Sequence, residues 1–376
     1  MNILHITTFL QGGAGQIIAE LASSQSLSGH KVSVATSGTG TQDYRNYAQW
    51  IDRLQSARVE VVLVESTFKR EIALNVAAFR EIRKCLDCSS ISVIHTHAAI
   101  PSLVALLLRS SAKKFFPIVQ TMHGWGIHKS PEQTATDITL MNQLDAVVTT
   151  SEASRQLLER LGLASNLINV VPNGISEGHP FPDDARTLLL RQWRAKGFKI
   201  MVCLGSVGPR KNQRLLLEAM AAPDAPLNLA CALVGEGQEI PALEIMAKEK
   251  GLGDRVHFFG YQAEAAQYLA NADWLVLPSN DEGLPLSVLE AYRAGIPVLG
   301  SDIPEITGIV VPDQTGFIFQ KGSLASLVKA LVRVAGMPED KREAMGMASN
   351  QLWHKSFSLE RMLKGYARIY QEMLTK

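Results

Sequence analysis

Two glutamates stand at the ends of an apolar stretch within DEGLPLSVLEAYRAG, residues 281–295, which follows the run WLVLPS. A lone buried carboxylate is costly unless it is paired, so Glu282 and Glu290 both need an explanation. If a helix begins near Pro285, the two carboxylates lie up to ~12 Å apart along its axis. That separation exceeds the ~5–5.5 Å between two catalytic carboxyl groups of which one is the nucleophile and the other the acid. It also reaches or passes the upper limit for a carboxyl pair in which one group is the acid and the other activates water as a base. The spacing therefore favours two separate contacts with one extended ligand.

One ligand that suits this spacing is a pair of hydroxyl-bearing sugars joined by a diphosphate. Each carboxylate accepts hydrogen bonds from a pair of hydroxyls, and the amides at the helix start bind the phosphates between them. A structural alternative remains for each residue. Glu282 can serve as a charge at a helix N-terminus, and Glu290 as the buried partner of a lysine or arginine.

A second group of candidates lies in GSVGPRKNQRLLLEA, between a predicted strand and a predicted helix. Arg210, Lys211 and Arg214 place fixed positive charge beside helix-start amides. This arrangement suits a diphosphate leaving group, because its negative charge grows as the bond breaks. The alternative is a solvated basic helix start, which the helix dipole disfavours.

The glycine-rich loop QGGAG follows the first predicted strand and opens the first helix. Gly12, Gly13 and Gly15 leave helix-start amides exposed, as in an anion site or a tight turn. The loop is neither a GxGxxG fingerprint nor a Walker loop.

Three histidines raise the possibility of a metal site. His95 and His97 lie two apart on a strand, and His123 ends the next strand in TMHG. No HExxH or DxD motif accompanies them, so no metal is expected, and His123 is the histidine expected to face a ligand.

Short strands rich in Val and Ile alternate with helices in both halves of the chain, which predicts parallel sheets covered on both faces. The predicted fold is α/β, with two Rossmann-like doubly wound domains facing a central cleft. The expected bounds are 1–175 and 185–356, with a hinge near 173–185 and a closing helical segment at 357–376. Ligands bind at the carboxyl ends of the strands in such sheets, which is where the candidates above fall.

The chain of 376 residues has a net charge of +1, which excludes the basic surface needed to bind duplex nucleic acid. Its start lacks a signal-peptide pattern and no apolar run reaches ~20 residues, so a cytoplasmic protein is expected. Lys69–Arg70 and the segment Lys113–Pro117 offer a weak peripheral contact with the inner face of a membrane, or simply solvated surface. Cys85 and Cys88 are expected to be unpaired thiols.

The order of these motifs resembles that of retaining glycosyltransferases of the GT-B fold, specifically glycosyltransferase family 4. The resemblance runs nearly end to end through GGAG, SVIHTHA, TMHG, VVPNGI, LGSVGPRKNQRLLLEA, LVGEG, VHFFGY and the E-x7-E segment with AYRAGIPV. It implies transfer of a sugar from a nucleotide diphospho-sugar, with a UDP-sugar favoured, to a glycan, lipid-linked or small-molecule acceptor. It further implies that no metal or other cofactor takes part, and that the closing helix crosses back onto the first domain.

The resemblance also implies roles for individual residues. Glu290 binds the ribose, Glu282 contacts the donor sugar, and Lys211 neutralises the diphosphate. His123 lies near the reacting sugar and Gly13 near the phosphates. The amides of Gly283, Leu284 and Leu286 approach the sugar and diphosphate. The acceptor is expected near Gly12, His97 and Trp125.

One position departs from the family pattern. Ser206 stands where the family commonly has an arginine after the glycine that ends a strand, and Arg210 is the candidate replacement. The departure keeps open a catalytically weak or inactive nucleotide-sugar-binding protein. A GT-B epimerase or phosphorylase is a further alternative.

Overall fold

The computed structural model describes residues 1–40, 45–65, 68–126, 129–178, 187–262 and 265–375. The chain forms two compact units, Met1–Ile175 with Leu359–Lys376 and Ser176–Ser358. Residues 179–186, which include much of the expected hinge, lie outside the described residues. Each unit is built on one parallel sheet with flanking helices, which confirms the predicted pair of Rossmann-like folds.

The first unit contains seven parallel strands: β1 (Asn2–Ile6), β2 (Lys31–Ser37), β3 (Glu60–Val64), β4 (Val93–Thr96), β5 (Ile118–Met122), β6 (Ala146–Thr149) and β7 (Ile168–Val170). Their order in the sheet is β3-β2-β1-β4-β5-β6-β7. The apolar side chains of β5 are buried on both faces of the sheet because helices cover both sides. The strand order reverses between β1 and β4, and the carboxyl ends of these strands form the usual ligand position of such a sheet.

Among the residues that the structure describes, these strands are connected by the α-helices α1 (Gly12–Leu27), α2 (Ala48–Ser56), α3 (Ile72–Cys85), α4 (Ala99–Ser111), α5 (Pro131–Met141) and α6 (Glu152–Arg160). Helix α1 ends before Gly29, whose φ of +87° suits glycine. Helix α5 begins with a capping box in which Ser130 and Gln133 bond reciprocally, and this fixes the start of the helix beside β5.

The second unit has six parallel strands in the order β10-β9-β8-β11-β12-β13. They are β8 (Lys199–Leu204), β9 (Leu229–Val234), β10 (Val256–Gly260), β11 (Trp274–Leu277), β12 (Val298–Ser301) and β13 (Gly316–Phe319). The helices are α7 (Leu188–Ala195), α8 (Gln213–Met220), α9 (Ile240–Glu249), α10 (Ala266–Leu269), α11 (Leu286–Arg293), α12 (Pro304–Thr307), α13 (Leu324–Gly336) and α14 (Glu339–Ser356). The order reverses between β8 and β11, so the loops after these two strands meet at one ligand position.

The last helix, α15 (Leu359–Thr375), packs within the first unit, as the fold prediction required. Tyr366 and Tyr370 are buried on its inner face. The hydroxyl of Tyr370 lies 2.6 Å from Nδ1 of His95, and the hydroxyl of Tyr366 lies 2.9 Å from Oγ1 of Thr121. The helix therefore closes the polar interior of this unit as well as its apolar core.

None of the helices among the described residues combines the length and apolarity that crossing a bilayer requires. The segment Lys113–Pro117 precedes β5, so it lies at the amino ends of the strands. Phe115 in this segment is 65% exposed, and the guanidinium of Arg109 lies over its ring. This surface is at the opposite edge of the sheet from the expected ligand position.

Candidate functional site

Glu282 is the centre of an ion-pair cluster at the carboxyl ends of β8 and β11. Its side chain is 3% exposed, and its Oε1 accepts hydrogen bonds from Lys211 Nζ at 2.5 Å and from Ser279 Oγ at 2.7 Å. The ammonium has three donors, of which Glu282 takes one. The buried carboxylate thus holds a lysine at the start of α8, where a phosphate would bind.

Arg210 also reaches this cluster. Its guanidinium lies 3.5 Å from Oε2 of Glu282 and 3.4 Å from the carbonyl oxygen of Asp281, while its side chain stays 48% exposed. Asn280 fixes the loop that carries it, because the Asn280 side chain donates to the carbonyl of Pro209 and its backbone amide donates to that of Arg210. Ser206 is exposed, and its backbone carbonyl accepts a hydrogen bond from the side chain of Gln213. The cluster therefore contains two cations in spite of the serine.

Two glycine-rich turns support this cluster by direct contact of their backbones. A Cβ on Gly235 would lie 1.9 Å from the carbonyl oxygen of Gly205, and a Cβ on Gly237 would lie 1.8 Å from that of Val207. The amide of Val207 donates to Glu236 at 2.8 Å. The sequences LGSVG and LVGEG therefore form two touching turns beneath Lys211.

The remaining candidates of the second unit lie on or beside α11. The helix begins directly after Pro285, near the expected position, and Glu290 lies half-buried in its second turn. Leu284 is buried, whereas Gly283 and Leu286 are partly exposed. Glu305 was not identified from the sequence: burial, together with the charges of Asp281 and Glu282, raises its pKa.

The first unit contains a cavity of about 530 Å³ past the carboxyl ends of β1, β4 and β5. Two of the expected acceptor contacts, His97 and Trp125, line it, and so does His123. Gly12, the third expected contact, is exposed at the start of α1 with a φ of +55°, and Gly13 follows it. The sequence therefore indicated the correct edge of the sheet for this cavity.

Three charged residues that the sequence analysis did not assign to a site lie on one side of the cavity. The side chain of Asp137 is 2% exposed. Its two carboxylate oxygens lie 2.7 and 2.9 Å from the guanidinium of Arg70, and Oδ2 lies 2.8 Å from Nζ of Lys129. Lys129 Nζ also lies 3.6 Å from the centroid of the Trp125 ring. Arg70 thus lines the cavity, whereas its sequence context suggested a surface charge.

A cluster of buried histidines lies beneath the cavity. His5 on β1 is in register with His95 on β4, and His97 follows the same strand. The ring centroids of His95 and His97 are 4.3 Å apart, and those of His97 and His123 are 5.3 Å apart. Burial lowers the pKa of His5 and of His123 to about 4, and it lowers those of His95 and His97 as well. The cluster is therefore neutral at physiological pH.

Within the part of the chain that the structure describes, ligand atoms of His5, His95 and His97 lie within 4.8 Å of one another, a spacing that a metal ion would accept. In the structure His5 and His97 bond to each other, and His95 bonds to Tyr370 and Thr121. A metal would have to replace these hydrogen bonds.

His5 carried no signal of its own in the sequence. The register of β1 with β4 brings it beside His95, so a correct strand order would have exposed the pairing. Arg70 and Asp137 lie 67 residues apart, and no local pattern connects them.

Comparison with known proteins places both units in one class. The model described as Glycosyltransferase Family 4 matches residues 11–178, and the model described as Glycosyl transferases group 1 matches residues 187–351. The solved structure of Anabaena Alr3699/HepE in complex with UDP and glucose has a TM-score of 0.83 at 19% identity, covering 99% of this chain and 100% of that one. The two family matches therefore identify a glycosyltransferase, and the structural match shows the GT-B fold. The chain belongs to glycosyltransferase family 4.

Characterised relatives are similar over long stretches. The N-acetyl-alpha-D-glucosaminyl L-malate synthase of Bacillus anthracis is 23% identical over 367 residues, which cover 96% of this chain and 94% of that protein. The D-inositol 3-phosphate glycosyltransferase of Nocardia farcinica is 28% identical over 277 residues, which cover 68% and 61%.

Proposed function

We propose that this glycosyltransferase moves a sugar from a nucleotide diphospho-sugar, with a UDP-sugar favoured, to an acceptor hydroxyl with retention at the anomeric carbon. The observation that carries the proposal is the cluster of Lys211, Arg210 and Glu282 at the start of α8 and α11. Support for the nucleotide comes from HepE, which was solved with UDP-glucose. In this proposal residues 185–356 bind the donor, and residues 1–175 with the closing helix bind the acceptor.

Individual residues follow from this assignment. Glu290 binds the ribose, Glu282 the donor sugar, and Lys211 with Arg210 the diphosphate. The remaining donor contacts come from backbone groups: the amides of Gly283, Leu284 and Leu286, the glycine loop at Gly13 and the turn at Ser206. His123 lies against the transferred sugar. The proposed catalytic residues are His123, Lys211 and Glu282, with Lys211 at the leaving phosphate and the other two at the transferred sugar.

The proposed chemistry needs neither a protein nucleophile nor a metal. The bond between the anomeric carbon and the phosphate oxygen breaks, and the acceptor oxygen bonds to the same face of the sugar. The acceptor proton passes to the departing phosphate oxygen. Lys211 and Arg210 stabilise the charge that develops on the diphosphate.

The cavity of the first unit suits an acceptor that carries a negative charge. Arg70 and Lys129 give two positive charges against the one carboxylate of Asp137, and the indole of Trp125 lies beside them. Named relatives act on L-malate, on D-inositol 3-phosphate and on a sugar diphosphoundecaprenol. We expect an acceptor hydroxyl on a carboxylate- or phosphate-bearing molecule, either soluble or lipid-linked.

A thermal-shift screen tests the donor assignment. UDP-, GDP- and ADP-sugars are added to the wild type and to Glu290→Ala, and a UDP-sugar is expected to raise the Tm of the wild type only. If no nucleotide sugar stabilises the wild type, the donor site is wrong. A shift that persists unchanged in Glu290→Ala removes the ribose role of that residue.

A second candidate function is nucleotide-sugar binding without transfer, and Ser206 is the observation that favours it. Titration calorimetry with UDP-glucose, followed by an assay of UDP release with L-malate and inositol 3-phosphate, separates the two functions. Binding without release of UDP supports the second.

A further inference from the structure

The histidines beneath the cavity form one hydrogen-bond chain that ends at His123, a residue that lines the cavity. Oε1 of Gln25 lies 2.8 Å from Nε2 of His5, and Nδ1 of His5 lies 3.0 Å from Nε2 of His97. Nδ1 of His97 lies 3.0 Å from Nε2 of His123. Nδ1 of His123, the last atom of the chain, is buried and has no hydrogen-bond partner among the described residues.

The first acceptor sets the direction of every bond that follows. An amide oxygen can only accept, so the proton of His5 is on Nε2 and its Nδ1 accepts. A neutral imidazole carries one N–H, and so His97 must donate from Nε2 and accept at Nδ1. By the same rule His123 donates from Nε2. Its Nδ1 is left as an acceptor.

Tyr370 of α15 holds the amide of Gln25 in this orientation. The amide nitrogen donates to the Tyr370 hydroxyl at 3.4 Å, and that hydroxyl lies 2.6 Å from Nδ1 of His95, to which it can donate its single proton. His95 then donates from Nε2 to Thr121 at 2.8 Å. Both ends of the amide are thereby bonded to groups of matching polarity.

We propose that Gln25, His5 and His97 are positioning residues that fix His123 as its Nε2–H tautomer, so that its Nδ1 accepts a hydrogen bond from a ligand hydroxyl in the cavity. The inference rests on the proposed function for the identity of the ligand, which is the sugar donor or the hydroxyl acceptor. It excludes a phosphate or carbonyl oxygen as the partner of Nδ1, because such an oxygen only accepts. Burial, which lowers the pKa of each histidine, keeps the chain neutral.

Nitrogen-15 NMR of the histidine rings tests the chain directly and without substrate. His123 of the free wild type is expected to show a protonated Nε2 and an unprotonated Nδ1. Gln25→Leu removes the first acceptor, and both tautomers of His123 should then be populated. Gln25→Glu keeps an acceptor at this place and should restore the wild-type tautomer. A proton on Nδ1 in the wild type, or a tautomer that Gln25→Leu leaves unchanged, overturns the proposal.

Two tyrosine variants provide a matched pair on α15. Tyr370→Phe removes the group that orients Gln25, and it is expected to mix the tautomers of His123. Tyr366→Phe removes a hydroxyl from an equally buried tyrosine of the same helix, whose hydroxyl lies 2.9 Å from Oγ1 of Thr121. It should leave the tautomer unchanged. If both variants change His123 equally, the effect is general loosening and the proposal fails.

Kinetics and ligand titration complete the test. Gln25→Leu is expected to lower kcat for UDP release about five- to tenfold, the loss of roughly one oriented hydrogen bond, with KM for UDP-glucose little changed.

The Nδ1 resonance of His123 should move with UDP-glucose and not with UDP if the hydroxyl is on the donor, and with L-malate if it is on the acceptor. If the protein binds UDP but the Nδ1 resonance of His123 moves with none of these ligands, a ligand hydroxyl is not the partner of Nδ1. Failure to bind any nucleotide refutes the proposed function instead and leaves the tautomer result valid.

Discussion

Arg210 occupies a position that the family pattern does not assign to a cation. Its guanidinium reaches the same carboxylate as Lys211, although the position of the usual arginine holds Ser206. A guanidinium offers five donors, so its contacts with Glu282 and Asp281 leave donors for a phosphate. We therefore propose that Arg210, at the other end of the loop, supplies the charge that the arginine supplies in the family pattern.

We predict that Arg210→Gln lowers kcat for transfer by about 10²-fold, because one of two cations that stabilise the leaving group is lost. Arg214→Gln, four residues further along the same segment, is the control, since its guanidinium lies against the sulfur of Met246. Steady-state measurement of UDP release compares them. Equal activity of the two variants would show that Arg210 has no part in transfer.

Lys211 is the ion-pair partner of Glu282, and the proposed function also gives it a chemical role that a double variant can separate from the structural one. Lys211→Met should lower kcat by about 10²–10³ and the free energy of unfolding by about 1–3 kcal/mol, because Glu282 loses a partner. Adding Glu282→Gln removes the buried charge and should recover stability without recovering kcat. Urea unfolding and UDP release measure the two quantities. Recovery of activity in the double variant would exclude Lys211 from the chemistry.

At the scale of elements, the turns after β8 and β9 depend on the absence of side chains. Gly235 has a φ of +148° and its backbone contacts that of Gly205, so alanine there is both strained and sterically excluded. We predict that Gly235→Ala lowers the free energy of unfolding by about 2 kcal/mol or more and weakens UDP binding. Gly253→Ala is the control, because no atom lies within 4 Å of its added Cβ. Urea unfolding and calorimetry with UDP test the pair.

The loop before α3 contacts helix α5 through the ion pair of Arg70 with Asp137, and Lys129 pairs with the same carboxylate. Residues of both elements therefore form this wall of the cavity. If this wall binds an anionic acceptor, Arg70→Gln raises KM for L-malate about tenfold or more and leaves KM for the donor unchanged. Lys69→Gln changes the neighbouring exposed residue and should have no effect. The same KM measurements are made with a panel of anionic acceptors that includes inositol 3-phosphate, so that the test does not depend on L-malate alone. An unchanged KM for every active anionic acceptor would contradict the assignment.

At the scale of the whole molecule, the neutral histidine cluster makes stability depend on pH. The pKa of His5 and of His123 falls from 6.5 to about 4 on folding. Above pH 6.5 both states are neutral, but below it the unfolded chain binds protons that the folded chain does not. The free energy of unfolding should therefore fall between pH 6.5 and about 4, by up to ~1.4 kcal/mol per pH unit for each proton. Urea unfolding across this range measures the slope.

Two histidine variants identify the source of that slope. His5→Gln removes one buried titrating ring and should make the slope shallower, whereas His257→Gln changes an exposed histidine and should not. If the slopes of the two variants are equal, the acid sensitivity has another origin.

The sequence was sufficient to predict the two parallel sheets, because their apolar strands alternate with helices and this pattern is local. It also indicated Lys211 and Glu282, which follow strands and which the structure brings within 2.5 Å. It did not reveal the bond between Gln25 and Tyr370, whose partners lie 345 residues apart. Contacts of that kind depend on strand order and on the course of the chain, and no short-range periodicity encodes them.

The return of α15 to the first unit also affects how the protein is made. Tyr366 and Tyr370 complete the polar interior around His95, but they are synthesised only after the whole of Ser176–Ser358. At 5–20 residues per second, the first unit waits on the order of ten seconds or more on the ribosome before its last helix arrives. During that interval the buried face that α15 covers is open to water and to chaperones. In a nascent chain arrested before Leu359, proteases should therefore cleave the first unit, whereas the same unit in a chain that includes α15 should resist them.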